Sequence, residues 1–134
     1  MDKFIKECDC DLIQKLWKPK VGDKLYIPSM NSVSFVSGYR QGSANHGVLY
    51  NILISGNYVP QEECIWLPSL SQLIAEIEKL PQLYSWNIQN LWNLLSTERC
   101  IRASIFIDID VIEVKGKTPE TACIKALKQV LKEG

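Results

Sequence analysis

The chain has 134 residues, and its 15 basic and 15 acidic side chains cancel to a formal charge of zero. A neutral chain has no long-range field to draw in nucleic acid or an anionic membrane, so neither is an expected partner. The length suits a single α+β domain over residues 1–134 that folds without a metal or disulfide staple, and five cysteines, odd in number and irregularly spaced, fit a reducing compartment better than a disulfide framework.

Phe4, Ile5, Cys8, Leu12, Ile13 and Leu16 recur at helical spacing and predict a helix over residues 2–16. The Trp17-Lys18-Pro19-Lys20 segment ends it, because the residue before proline avoids the helical region. The same N-terminus mixes charges and lacks an apolar core, so a cleaved leader is not expected. A turn at Val21-Gly22-Asp23 leads into a strand over 24–28. Further strands are predicted over 32–39 and 47–55, with shorter pieces at Tyr58-Val59 and 64–67. Their short connections leave no room for crossover helices, so the strands read as an antiparallel meander.

Ser69, with Gln72 three residues on, fits a capping box at the head of a helix whose Leu70, Leu73, Ile74, Ile77 and Leu80 form one apolar stripe. Pro81 stops it. Ile88, Leu91, Trp92 and Leu95 share a helical face, which predicts a second short helix over 87–95. Residues 103–115 predict one strand, with Ile105, Ile107, Ile109 and Val111 on one face and Phe106, Asp108, Asp110, Ile112 and Val114 on the other. Gly116-Lys117 turns the chain. Thr118 then caps a C-terminal helix that has Pro119 at its first position and Glu120 by its positive end. The expected architecture is an antiparallel sheet of four to five strands covered on one face by two or three helices.

Three segments carry a resemblance: Trp17-Lys18-Pro19-Lys20-Val21-Gly22-Asp23 before a strand, Ile65-Trp66-Leu67-Pro68-Ser69-Leu70-Ser71-Gln72-Leu73, and Gly116-Lys117-Thr118-Pro119-Glu120-Thr121-Ala122. In this order they resemble a group of small phage and prophage proteins with no assigned activity. Residues 40–46 and 80–97 depart from that group. The resemblance implies a setting, a phage or prophage product in a bacterial cytoplasm, and carries over no site residues.

Candidate chemistry lies in three places. Tyr39, Arg40, Asn45 and His46 flank glycines in a predicted inter-strand loop, where backbone amides and Arg40 suit an anionic, nucleotide-like ligand; a polar hairpin loop gives the same residues. Arg99 and Arg102 add planar forks of the same use. Asp108 and Asp110, on one strand face, would lie roughly 7 Å apart at ~3.4 Å per residue and are candidate Mg²⁺ ligands. A solvated stretch of strand is the plainer reading of the same residues, because no third acidic ligand lies nearby in sequence and Glu113 points the other way. His46 is the sole histidine, which leaves Cys8-Asp9-Cys10 short of a zinc set. No cofactor is expected.

Charge distribution is more informative than any of these. Between Leu25 and Ala75 only Arg40, Glu62 and Glu63 are charged, and from Leu80 to Thr97 nothing is, although Tyr84, Trp86 and Trp92 lie there. Few charges with aromatic residues is the composition of an interface core, so Tyr84, Trp86 and Trp92 are candidate contacts of a homo-oligomer or protein partner. The functional expectation is a non-catalytic phage accessory protein that acts by binding, as a counter-defence factor that sequesters a nucleotide-type signal or blocks a host defence protein. A phage assembly or replication module and a small metal-dependent phosphoesterase are the alternatives.

Overall fold

The computed structural model describes residues 2–44, 47–81, 83–92, 99–107 and 110–133. They fall into two compact units, Met1–Pro68 and Ser69–Gly134. The architecture is mixed α and β with antiparallel pairing throughout, but the strands form three sheets of three rather than one sheet of four or five.

The first unit opens with two short helices, α1 (Lys3–Cys8) and α2 (Asp11–Gln14), in place of the single helix expected over 2–16. Asp2 caps α1 by accepting the Phe4 amide at 2.6 Å. Cys10 is extended, at φ −150° and ψ 142°, and its carbonyl accepts the Ile13 and Gln14 amides that start α2. The kink lets Cys8 and Ile13 both reach full burial.

Strands β1 (Lys24–Ile27), β2 (Ser32–Phe35) and β6 (Ile65–Trp66) form one sheet in the order β2-β1-β6. Strands β3 (Gly38–Ala44), β4 (Gly47–Ile54) and β5 (Asn57–Pro60) form another in chain order. The strand expected over 32–39 is thus two strands in two sheets. Val36 is buried and its amide turns to Asp23 O, while Ser37 already donates to Leu53 O on β4. Ser55 and Gly56, both at positive φ, make the two-residue reversal between β4 and β5.

The Trp17–Asp23 segment is a lock. The buried Asp23 carboxylate accepts Trp17 Nε1 at 3.0 Å and the Lys20 amide at 2.9 Å, and Trp17 stacks on Trp66 at 6.3 Å with the rings 4° from parallel. Gln14 closes the free edge of β6. Its Oε1 accepts the Trp66 amide at 2.8 Å, and its Nε2 donates to Trp66 O at 3.1 Å and to Cys8 O at 2.8 Å. One side-chain amide thereby does for Trp66 what a neighbouring strand would do.

The second unit contains α3 (Leu70–Glu78), β7 (Leu83–Trp92), β8 (Arg99–Ile107), β9 (Asp110–Gly116) and α4 (Pro119–Glu133). The Ser69/Gln72 capping box forms in both directions, at 3.2 and 2.9 Å. Thr118 Oγ1 accepts the Thr121 amide at the head of α4. Two expectations are corrected. Residues 87–92 of the helix expected over 87–95 supply the second half of strand β7, paired to β8 from Leu83↔Ile107 to Trp92↔Arg99, and residues 93–95 lie outside the described residues. The strand read over 103–115 is a hairpin, since Ile107 pairs with Asp110 and the chain reverses between them.

The sheet order is β7-β8-β9. Helix α4 packs on β8 and β9, and α3 packs on α4. Ile101, Ala103 and Ile105 of β8, Ile112 of β9, Leu73 and Ile77 of α3, and Ala122, Cys123, Ile124, Ala126 and Leu127 of α4 are all buried. Gly116 permits the turn into α4, because a Cβ there would lie 2.8 Å from the Ala122 amide nitrogen.

Candidate functional site

In the first unit the residues expected to gather around a loop are strand residues. Tyr39 and Arg40 are consecutive on β3 and so point to opposite faces: Tyr39 lies opposite Ile52 and Arg40 opposite Asn51. Tyr39 makes an edge contact with Tyr50, at 5.8 Å and 75°. The Arg40 guanidinium sits 4.1 Å over the Tyr58 ring, reaching across β4 to do so. The two halves of the expected anion site are therefore separated by the sheet. Asn45 and His46 lie outside the described residues.

The same unit holds a cleft of about 370 Å³ that the sequence did not signal. Exposed Asp9, Asp11, Glu62 and Lys15 rim it, and buried Trp17, Cys64 and Ile65 wall it. Its inner polar groups are committed to the fold. Gln14 holds Trp66, Gln61 Nε2 donates to Trp17 O at 3.4 Å, and the Cys64 thiol contacts Pro60 O at 3.6 Å. Burial, with Glu63 adding to it, raises the Cys64 pKa to about 11. Burial and then Glu120 raise Cys123 of the second unit to about 11 as well. Both therefore stay protonated near neutral pH, and neither is a ready nucleophile. Among the described residues no three His, Cys, Asp or Glu side chains cluster to hold a metal. Asp110 is exposed at the first position of β9, and Asp108 lies outside the described residues.

The second unit presents the more open surface. On the sheet face away from Ile101, Ala103 and Ile105, cross-strand rungs read Ser85–Phe106–Val111, Asn87–Ser104–Glu113 and Gln89–Arg102–Lys115. Ser85, Asn87, Gln89, Val111, Glu113 and Lys115 are exposed, and Arg102 and Phe106 are half-buried. Arg102 donates from Nη2 to Gln89 Oε1, while its Nε is buried with no partner among the described residues. Arg102 also lies directly opposite Lys115, and cations so placed disfavour the sheet.

Strand β7 bounds this face. Its only strand neighbour among the described residues is β8. None of its ten residues is charged. A register shift between Leu83 and Ser85 leaves Tyr84 as a bulge, with 84% of its surface exposed. Trp86 lies half-buried on the other face, opposite Ile105. Trp92 and Arg99 form the last rung of the β7–β8 pairing. The expected contact residues and Arg102 thus share one three-stranded sheet, whereas Arg40 and Tyr39 belong to the other unit. Gln89 went unnoticed in the sequence, and only the β7–β8 register identifies it as the partner of Arg102.

No described helix is long and apolar enough to cross a membrane. No protein-family model, curated protein or solved structure matches the chain.

Proposed function

We propose that the chain is a non-catalytic phage accessory protein that acts by binding, and that its working surface is strand β7 with the polar face beside it. One observation carries this reading: a ten-residue sheet edge has no charge and no second strand beside it among the described residues, with Tyr84 almost fully exposed at its start. Proteins that work alone guard such edges with lysine, proline or an overlying loop. The phage setting, and counter-defence as the purpose, rest on the sequence resemblance. The favoured target is a protein, because the exposed side chains of Tyr84, Ser85, Asn87 and Gln89 form a flat surface rather than an enclosed cavity.

A nucleotide-type signal is the second reading. Arg102 favours it, with Lys115 opposite and Asn87 and Gln89 on the same face, since an anion placed there would relieve the repulsion between the two cations.

Two measurements test the proposal. Co-purification from bacterial host cells should retain a specific partner on the wild type and on Tyr39→Ala, and lose it on Tyr84→Lys. Calorimetry against cyclic and adenosine-derived nucleotides should give heat only if the second reading holds, and Arg102→Ala should abolish it. Silence in both experiments would leave the binding reading without support.

A further inference from the structure

We infer that the outer edge of β7 is completed by β7 of a second copy of this chain, running antiparallel about a two-fold axis near Ile88. This rests on the binding reading and gives the edge its occupant. It joins two sheets of order β7-β8-β9 into one continuous sheet.

The argument starts from the two edges of that sheet. Strand β9 exposes Asp110, Glu113 and Lys115, charges of the kind that keep an edge from pairing. Strand β7 has none. The asymmetry selects the mode of association. Pairing β7 with β9 of another copy would be head-to-tail and would propagate, and it would set charged side chains beside an uncharged strand. Pairing β7 with itself is isologous and closes at two copies.

A strand that meets its own copy also meets its own charges, so only a neutral strand avoids self-repulsion. About an axis at Ile88, Ile88 faces its counterpart and Asn87 faces Gln89 of the other copy. Both amides carry a donor and an acceptor. The side chains of Ser85, Asn87 and Gln89 are exposed. The bulge at Tyr84 interrupts regular pairing at one end of the strand and sets its limit there. The dimer would also place two polar faces side by side.

The test uses the full chain. Light scattering at micromolar concentration should give twice the chain mass, and amide exchange over residues 83–92 should slow as concentration rises. The double variants Asn87→Lys/Gln89→Lys and Asn87→Glu/Gln89→Glu should each raise the dimer dissociation constant at least tenfold. Mixing them in equal amounts should restore the dimer, and circular dichroism would verify that each is folded. A monomeric wild type would overturn the inference and reassign the edge to an extended segment of another protein. A dimer with unprotected β7 amides, or one indifferent to both double variants, would overturn it too. Neither result bears on the binding reading, whose own tests read partner capture and heat rather than mass.

Discussion

The chain has two charge-poor stretches, and they meet different fates. In the first unit the stretch after Lys24 is divided: Leu25, Tyr26, Ile27, Val36, Ile52, Ile54 and the run from Cys64 to Leu67 are buried, whereas Met30, Val33, Phe35, Tyr39 and Tyr58 are exposed. The edge that this unit exposes at Trp66 is closed by Gln14. In the second unit Tyr84, Ser85, Asn87 and Gln89 of β7 are exposed, and no second strand closes the β7 edge among the described residues. Absence of charge is therefore ambiguous between core and contact surface. The deciding quantity is whether another group in the same chain satisfies the backbone.

Breaking each unit where it is strongest tests this contrast. Leu127→Ala in α4 removes a side chain that is 1% exposed, and should cost the second unit about 4 kcal/mol in denaturant unfolding. Gln14→Ala strips three hydrogen bonds and leaves the Trp66 amide unpaired, at about 3 kcal/mol for the first unit. Weakening of the near-ultraviolet circular dichroism of the stacked Trp17 and Trp66 would report it. Asp23→Asn keeps an acceptor for Trp17 Nε1 but loses its charge, and should cost about 1.5 kcal/mol in the same assay.

Alkali should act on both units. The folded state holds Cys64 and Cys123 protonated up to about pH 11, whereas the unfolded chain releases those protons near 9.0. Stability is therefore at its full value below pH 9.0 and falls as pH rises from there towards about 11. Each thiol should contribute a loss of roughly 1.4 kcal/mol by pH 10. Unfolding curves of Cys64→Ser and Cys123→Ser should lose part of that pH dependence. Tyr84→Ser should shift the unfolding midpoint least, by under about 0.5 kcal/mol, because the ring is exposed. A large shift would mean that Tyr84 supports the fold and not a partner.

Much of the fold was legible wherever the signal is local. The capping box at Ser69 and the Thr118-Pro119 start carry their chemistry within four residues, and both helices begin where expected. Two errors have the same origin, in that periodicity does not report which strand lies alongside. Ile88, Leu91 and Trp92 fit a helical face, but pairing with β8 overrides the pattern. Apolar residues alternate from Ile105 through Ile109 to Val111 even though the chain reverses between Ile107 and Asp110. Of the candidate site, the charge-poor and aromatic character of the stretch around Tyr84 was readable from composition. The division of Tyr39 from Arg40 was not, because it depends on both being strand residues. Gln14 was invisible for a simpler reason: its partner Trp66 is 52 positions away.

That glutamine also gives the protein a route to chemical ageing. Hydrolysis of its carboxamide would exchange the nitrogen donor for a second oxygen, which would then confront the carbonyls of both Cys8 and Trp66. A fastening would become a repulsion without any change in shape. Old preparations should therefore loosen first where α2 meets β6, while the helix-backed sheet of the other unit keeps its structure.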